Sequence, residues 1–414
     1  MLLWELGFAQ PHIPRERRCW QDRLGEPDVR VDMRLFLFVL IAVSIYGAMH
    51  AVVLWGVHPL VAGRPRVSAV VLGWMGAMIL APLAVPLLER AGHELAARSV
   101  AWVAYSWLGL LFLAFSLFAV LGGWELLVWL VAKGLPDLSR FSVHGPWTAA
   151  LGLVAALGVG LCGFYEARQL RVETVHLTTA KLGAGRDRLR IVQVSDLHLG
   201  LLHREGALAP VIARLKDLAP DLLVATGDMV DAQLDHLNGL SDLWREIDPP
   251  LGKYAVVGNH EVYAGLGQSL EFLHRSGFAV LRNEGRSVAG LLHLVGVDDA
   301  HAPGSRIDEA ILRGDQQPQS LFTVLLKHRP AVSPGSLGRF DLQLSGHTHL
   351  GQIFPFCFLT GLQYPRQDGL YDLPGGAKLY TSRGTGTWGP PMRVLAPPEI
   401  TVLEVRRVGS REGR

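Results

Sequence analysis

The chain has 414 residues, half of them apolar and only 18% charged, and its formal net charge is +2. So small a charged fraction is unusual for a soluble enzyme, and the length leaves room for more than one structural unit. The cysteines Cys19, Cys162 and Cys357 share no motif spacing, which argues against a disulfide framework and a cysteine-based zinc site. The sequence has no dense Lys/Arg run that would indicate a nucleic-acid partner, and we expect none.

Residues 1–34 form a polar, arginine-rich N-terminal arm. Met33 immediately precedes the first apolar run, so one hypothesis is that translation starts there and that residues 1–32 are not made. The mass of the purified protein tests this hypothesis. We assign no function to the arm.

Four apolar segments follow, at 35–57, 67–88, 100–121 and 147–165, and they define a predicted transmembrane region over 35–166. Each is close to the ~20 residues needed to cross a hydrocarbon core of ~30 Å. None contains Asp, Glu, Lys or Arg, so nothing in them indicates an ion path or a proton relay. We therefore expect about four membrane helices that anchor the protein among membrane lipids. A buried helical bundle in a soluble domain is the alternative.

Four crossings place both ends of this region on the same side of the cell (inner) membrane. Arg and Lys are more numerous on that side than in the other two loops, which predicts a cytoplasmic catalytic domain by the positive-inside rule. The apolar stretch 124–132 leaves the topology open, because it can lie in the interface, extend a span or form a fifth crossing. A fifth crossing would place the domain outside.

From about residue 170 onward, short apolar runs alternate with polar, helix-compatible stretches. The runs predict strands at 189–195, 221–226, 253–257, 278–281, 291–297, 320–326, 340–344, 377–382 and 399–405. Helices are predicted at 205–218, 234–246 and 265–276. This alternation predicts a layered α/β domain over 170–407, followed by a polar tail at 408–414.

Five of the predicted strands end in residues of metal-binding type, often with glycine directly before them. The segments are Asp196-Leu197-His198, Gly227-Asp228, Gly258-Asn259-His260, His328 and Gly346-His347-Thr348-His349. One such strand end is usually a turn or a helix cap, but five in order are not explained in that way. Their mixed oxygen and nitrogen donors suit Mn, Fe or Zn better than Mg or Ca. Since one ion needs fewer donors, we expect two metal ions and one bridging carboxylate.

This series of motifs resembles the calcineurin-like metallophosphoesterase family over residues 190–405. The resemblance implies two packed mixed β-sheets flanked by helices, an α/β/β/α sandwich, after an N-terminal α-helical transmembrane bundle. It also implies a role for each metal ligand. Asp196, His198 and His349 would hold the first metal ion, Asp228 would bridge, and Asn259, His328 and His347 would complete the second site.

The resemblance further implies that a metal-bridging hydroxide attacks phosphorus while His260 faces the leaving group as a proton donor or a cation. A structural histidine behind the ligands is the alternative for His260. The membrane region narrows the resemblance to the transmembrane, YkuE-like group, and Gly296-Val297-Asp298-Asp299 and the segment 380–386 are further similarities. Leu350 stands where that group usually has glycine, which puts the flexibility of its loop in question but changes no ligand.

Two features bear on the substrate. The aromatic-rich run 353–362 is either core or an exposed flap that contacts lipid or an acyl chain, and we favour the flap because the domain is tethered to a membrane. Arg383, among glycines, either contacts a substrate phosphate or forms a surface salt bridge.

We therefore predict a membrane-anchored hydrolase of phosphoester or pyrophosphate bonds in a phosphorylated small molecule or lipid. UDP-2,3-diacylglucosamine is one specific candidate, because related phosphoesterases act on it. A protein phosphatase or a cyclic-nucleotide phosphodiesterase is the alternative if 353–362 is buried. Outside the enzymes, the alternative is a non-catalytic metal-binding membrane sensor or scaffold, against which the complete ligand set argues.

Overall fold

The structure is a computed structural model that describes residues 33–231, 234–314 and 320–409. Residues 1–32 of the predicted arm and residues 410–414 of the predicted tail lie outside the described residues.

The N-terminal part consists of long apolar helices, as predicted. They are α1 (Met33–Val61), α2 (Pro65–Arg90), α3 (Glu94–Ala132) and α4 (Pro146–Glu166). All four are long and apolar enough to cross a membrane. Gly63 and Gly92, with φ of 74° and 75°, follow the ends of α1 and α2, where left-handed backbone ends a helix at little cost.

The apolar stretch 124–132 is the last part of α3 and is not a separate helix. With 39 residues, α3 is about 58 Å long, roughly twice the thickness of a hydrocarbon core. Because the stretch continues one helix, the fold agrees better with an extension of α3 than with a fifth crossing.

The C-terminal part is an α/β domain. Its strands are β1 (Arg171–Thr179), β2 (Arg188–Val194), β3 (Leu222–Ala225), β4 (Lys253–Ala255), β5 (Ala279–Val280), β6 (Glu284–Val288), β7 (Leu292–Val297), β8 (Phe322–Lys327), β9 (Leu342–Ser345), β10 (Gly369–Asp372), β11 (Lys378–Thr381) and β12 (Glu399–Arg407). Its helices are α5 (Glu205–Leu218), α6 (Leu240–Arg245), α7 (Asn259–Arg275), α8 (Asp308–Gly314) and α9 (Cys357–Gln363).

The strands form two six-stranded mixed sheets. The first has the order β1-β12-β2-β3-β4-β5, in which β2 to β5 run parallel and β12 runs antiparallel to β2. The second has the order β10-β11-β9-β8-β7-β6, with β7, β8, β9 and β11 parallel and antiparallel strands at both edges. Parallel strands bring their carboxyl ends to one edge of a sheet, which is where this chain carries its metal-binding motifs.

The main core lies between the two sheets. Ile191 and Val224 of the first sheet pack there against Leu294 and Val324 of the second, and all four are fully buried. Residues one step along each strand point to the outer faces, where α5, α6 and α7 cover the first sheet and α8 lies against the second. The predicted α/β/β/α sandwich is confirmed.

All nine predicted strands are present, and β1, β6 and β10 are additional. The predicted helix 234–246 is a 3₁₀ turn at Leu234–Leu237 followed by α6, because Gly239 takes a left-handed conformation with φ of 79°. Helix α7 begins at Asn259, six residues before its predicted start, with a kink at Gly265.

The packing divides the chain into two compact units, and the predicted domain boundaries are not tested by it. One unit comprises 33–83 and 114–154, in which the ring of Phe118 packs against Gly56 and Gly152. The other comprises 84–113 and the described residues from 155 to 409. The end of α2, the first half of α3 and the end of α4 thus belong to the same compact unit as the α/β domain.

Candidate metal centre

The predicted metal ligands all follow the carboxyl ends of parallel strands. Asp196 and His198 follow β2, Asp228 follows β3, Asn259 follows β4, His328 follows β8, and His347 and His349 follow β9. Every one of these residues is at most 5% exposed. The two sheets therefore bring residues up to about 150 positions apart in the chain to a single buried centre.

Most of these residues have a backbone conformation that side chains other than glycine rarely adopt. Positive φ angles occur at Asp196 (54°), His198 (51°), Asp228 (53°), His347 (73°) and His349 (48°). Such strain persists where the surrounding structure imposes it, and it is concentrated at functional sites.

The glycines that precede the ligands are surrounded so closely that a side chain would not fit. A Cβ on Gly258 would lie 2.2 Å from Oδ1 of Asp228, and a Cβ on Gly346 would lie 2.2 Å from Oδ2 of Asp196. A side chain at either position would displace a metal-binding carboxylate.

The first donor set consists of Asp196, His198 and His349, whose donor atoms lie within 4.8 Å of one another. Nε2 of His198 is 3.1 Å from Nε2 of His349, which is 3.4 Å from Oδ1 of Asp196. Two basic nitrogen atoms and a carboxylate oxygen thus face a common point.

The second donor set consists of Asp228, His328 and His347. Nε2 of His328 is 3.0 Å from Oδ2 of Asp228 and 3.1 Å from Nδ1 of His347. Nδ1 of His328 lies 2.8 Å from the carbonyl oxygen of Thr226. If Nδ1 carries the proton and donates it to this carbonyl, the lone pair of Nε2 is directed toward the donor set, as a metal ligand requires.

Both sets fit divalent metal ions. Oδ1 of Asn259 is buried without a hydrogen-bond partner in the described part of the chain, and a cation would satisfy it. Burial alone would lower the pKa of His328, but the charge and hydrogen bond of Asp228, together with the charges of Asp196 and Asp299, raise the pKa to about 10. The centre therefore attracts positive charge strongly. Whether Asp228 bridges two ions stays a prediction.

His260 lies beside the donor sets in a third cluster, with His198 and Asp231. Its Nδ1 is bonded to Oδ1 of Asp231, and its backbone N–H donates to Oδ1 of Asp228 at 2.9 Å. Burial alone would lower its pKa, but the charges of Asp231 and Asp228 raise the pKa to about 9. A protonated imidazole is thereby held at the edge of the centre.

Sequence reasoning did not single out Asp231. The signal for it is its position three residues after Asp228, in the same loop. The carboxylate that orients His260 and the carboxylate in the second donor set are therefore held by one stretch of backbone.

Glu261 was also missed. Its fully buried carboxylate accepts hydrogen bonds from the backbone N–H groups of Gly258 (2.8 Å), Asp228 (2.9 Å) and Met229 (2.6 Å). It therefore ties the first turn of α7, which carries Asn259, to the loop that carries Asp228. Its spacing after Gly258 is that of a capping box, and this is the available signal.

Two arginines lie near the centre. Arg383 was a candidate substrate-binding residue, whereas sequence reasoning did not identify Arg393. Nη2 of the fully buried Arg393 lies 3.1 Å from Nδ1 of His349. Arg383 instead forms ion pairs with Glu173 (2.6 Å) and Glu399 (2.7 Å). This placement favours the salt-bridge interpretation of Arg383 over contact with a substrate phosphate.

The run 353–362 contains most of helix α9, and its apolar side chains are largely exposed. Phe358 is 67% exposed and Leu362 is 82% exposed. Phe356, at the start of α9, packs edge-on against Phe112 of α3, with ring centroids 5.9 Å apart. Tyr364, directly after α9, lies with its ring 5.3 Å from that of His347. An exposed apolar helix thus connects the metal centre to a helix of the apolar N-terminal part.

Comparisons with known proteins agree with this geometry. The model of the calcineurin-like phosphoesterase family matches residues 189–351. A metallophosphoesterase of Aquifex aeolicus (strain VF5) is 37% identical over 261 residues, covering 62% of this chain and 99% of that protein. A Danio rerio protein named transmembrane protein with metallophosphoesterase domain is 32% identical over 274 residues, covering 62% of each chain. The metallophosphoesterase YkuE of Bacillus subtilis (strain 168) is 31% identical over 273 residues, covering 62% of this chain and 93% of YkuE. The chain therefore belongs to the calcineurin-like metallophosphoesterase family and is a phosphoesterase of the hydrolase class.

Proposed function

We propose that this phosphoesterase uses two divalent metal ions to hydrolyse a phosphoester or pyrophosphate bond in an amphiphilic substrate at the membrane. The observation that carries the proposal is the pair of buried donor sets, with the unpartnered Oδ1 of Asn259 beside them. Mn, Fe and Zn are the candidate ions, because the donors mix carboxylate and amide oxygen with imidazole nitrogen.

When bound, two divalent ions would place positive charge against the phosphate oxygens and make a water molecule more acidic. Asp196, Asp228 and the imidazoles would hold these ions through their fixed, buried positions. As water adds to phosphorus it loses one proton to the solvent, and the bond from phosphorus to the leaving oxygen breaks. His260, kept protonated by Asp231, donates its proton to that oxygen.

The amphiphilic character of the substrate is supported by α9. Its exposed side chains at Phe358, Leu359 and Leu362 form an apolar surface on the segment between His349 and Tyr364, both of which lie at the centre. A soluble phosphopeptide or cyclic nucleotide gives no reason for such a surface, so the exposure favours a lipid-linked substrate over the protein phosphatase and phosphodiesterase alternatives. UDP-2,3-diacylglucosamine remains our specific candidate.

We further propose that the domain faces the cytoplasm from a multi-pass position in the cell membrane. The four apolar helices and the excess of Arg and Lys on one side support this orientation. Labelling of an introduced exposed cysteine in intact and permeabilised cells tests it, since a cytoplasmic residue reacts with an impermeant reagent only after permeabilisation.

The reaction class is tested with the full-length protein in detergent, using bis-p-nitrophenyl phosphate with and without Mn²⁺. We expect metal-dependent hydrolysis that is abolished in Asp228→Asn. Absence of turnover while Mn²⁺ is bound, with this substrate and with lipid-linked pyrophosphates, would support the non-catalytic scaffold.

The role of α9 is tested with Phe358→Ser/Leu362→Ser. We expect this variant to lose activity on a lipid-linked pyrophosphate while it retains activity on bis-p-nitrophenyl phosphate. Val408→Ser, which removes an equally exposed apolar side chain at the end of the domain, serves as the matched control. If the α9 variant retains the same fraction of wild-type activity on both substrates, an acyl-chain contact at α9 is contradicted.

A further inference from the structure

The loop 390–396 packs directly against α3 and the end of α4, in the same compact unit. The backbone N–H of Arg393 donates to the carbonyl oxygen of Gly163 in α4 at 3.0 Å. A Cβ on Gly163 would lie 2.9 Å from Cγ2 of Val394 and 3.0 Å from the carbonyl oxygen of Arg393. The glycine therefore allows the loop to reach the backbone of the helix.

Two further contacts fix the same loop. The carboxylate of Glu166, the last residue of α4, accepts hydrogen bonds from the backbone N–H groups of Leu395 (3.2 Å) and Ala396 (2.9 Å). In α3, a Cβ on Gly109 would lie 2.7 Å from Sδ of Met392, which is fully buried. Both α3 and α4 of the membrane region thus support loop 390–396.

From this loop, two routes lead to the metal ligand His349. The guanidinium of Arg393 lies 3.1 Å from Nδ1 of His349 and is held by the carbonyl oxygens of Gly386 and Ala396 at 2.9 and 2.8 Å. The backbone of Val394 pairs with the segment after His349, because its N–H donates to the carbonyl oxygen of Gln352 at 2.9 Å. The loop therefore positions the main chain next to this ligand and places the guanidinium beside its ring.

The opposite side of the centre shows a related arrangement. Arg204, in the loop after β2, forms an ion pair with Glu94 of α3 at 2.6 Å. His236, in the loop after β3, lies 3.2 Å from Glu89 of α2. The loops that carry the ligands Asp196, His198 and Asp228 thus contact the hairpin between α2 and α3.

We propose that these segments of α2, α3 and α4 support the metal centre structurally, with Arg393 as the positioning residue through which α4 holds His349. The membrane region is then part of the catalytic unit as well as an anchor. This role is independent of the substrate, because it concerns the geometry of the first donor set.

The test substitutes Gly163→Ala in the full-length protein and uses Gly158→Ala, five residues earlier in α4 with no atom within 4 Å of its Cβ, as the matched control. Both variants add one methyl group to the same apolar helix. The measurement is Mn²⁺ bound at a series of buffered free Mn²⁺ concentrations, so the result does not depend on any activity. We expect Gly163→Ala to weaken Mn²⁺ binding about 10-fold or more, as changes behind metal ligands commonly do, and Gly158→Ala to leave it unchanged.

Arg393→Lys and Arg393→Met then test the positioning residue itself. Lysine keeps N–H groups that can bond the same carbonyl oxygens and part of the reach, so we expect it to retain more Mn²⁺ affinity than methionine. Wild-type Mn²⁺ affinity in membrane-inserted Gly163→Ala, or in Arg393→Met, would overturn the proposal. Intact Mn²⁺ binding without phosphoesterase turnover in the wild-type protein would instead count against the proposed function alone.

Discussion

Asp231 contacts two histidines of the centre through its two carboxylate oxygens, with Oδ1 bonded to Nδ1 of His260 and Oδ2 at 3.7 Å from Nδ1 of His198. The carboxylate itself is stabilised in the charged form: burial opposes the charge, but the two histidines lower its pKa well below the usual range. Asp231 is therefore a permanent negative charge that fixes the ring of His260 and its protonation.

The contact between Asp231 and His260 predicts the pH above which activity is lost. The pKa of His260 is raised to about 9, so the proton that it donates is present below that pH and is lost as the pH rises through 9. In Asp231→Asn the largest favourable charge is removed, and the pKa should fall toward the ordinary value of about 6.5. We expect the alkaline limb of kcat to move to lower pH by at least about one unit.

The control for this profile is Asp217→Asn, an exposed position on α5, which should leave the limb in place. An unchanged alkaline limb in Asp231→Asn would show that His260 does not donate the proton that limits the reaction.

The metal content of two variants distinguishes the predicted roles of His260 and Asp228. His260→Ala should keep its metal ions, because His260 is bonded to Asp231, but it should slow turnover by roughly 10²–10⁴-fold if the proton donor is lost. Asp228→Asn should weaken metal binding and abolish turnover, because Asp228 belongs to the second donor set. Metal content per chain and kcat, measured on the same preparations, decide between the roles. Loss of metal in His260→Ala would reassign His260 as a ligand.

Glu261 should matter for stability more than for chemistry. In Glu261→Gln, the new amide group faces backbone N–H donors, and at least one of these donors loses its partner. A buried unsatisfied group costs about 1–3 kcal/mol, so we expect a clear fall in the apparent unfolding temperature in detergent. Glu271→Gln, at an exposed position of the same helix, is the control and should leave that temperature within error. An equally stable Glu261→Gln variant would mean that its backbone contacts are dispensable.

The meeting of these residues at one candidate centre could be predicted because each of them follows an apolar strand within a few residues. A continuous buried run such as Leu222–Ala225 identifies both the strand and the position of its carboxyl end. Strands β1 and β6 were missed for the converse reason. As edge strands they are half exposed, and their residues form no apolar run that would distinguish them from loops.

Contacts made across long separations could not be predicted in this way. Arg393 follows His349 by more than forty residues, and no local pattern relates it to a metal ligand. Glu89 and Glu94 look like the charged ends of two membrane helices. Their partners Arg204 and His236 lie next to or within predicted helices, where nothing in the pattern indicates such a contact. Such pairs depend on which surfaces meet in the folded chain, which periodicity and motif spacing do not encode.

Leu350 gives a last prediction, on the position where the related group usually has glycine. Its φ of 50° and ψ of 35° lie in the left-handed region, which costs a residue other than glycine about 1–2 kcal/mol. Leu350→Gly removes that cost, but it increases the conformational entropy of the unfolded chain by about 0.5–1 kcal/mol. We therefore expect the variant to be as stable as the wild type or slightly more stable, with unchanged Mn²⁺ affinity. Leu370→Gly, in strand β10 with ordinary backbone angles, should lower the apparent unfolding temperature, and an equal loss at both positions would contradict a strained Leu350.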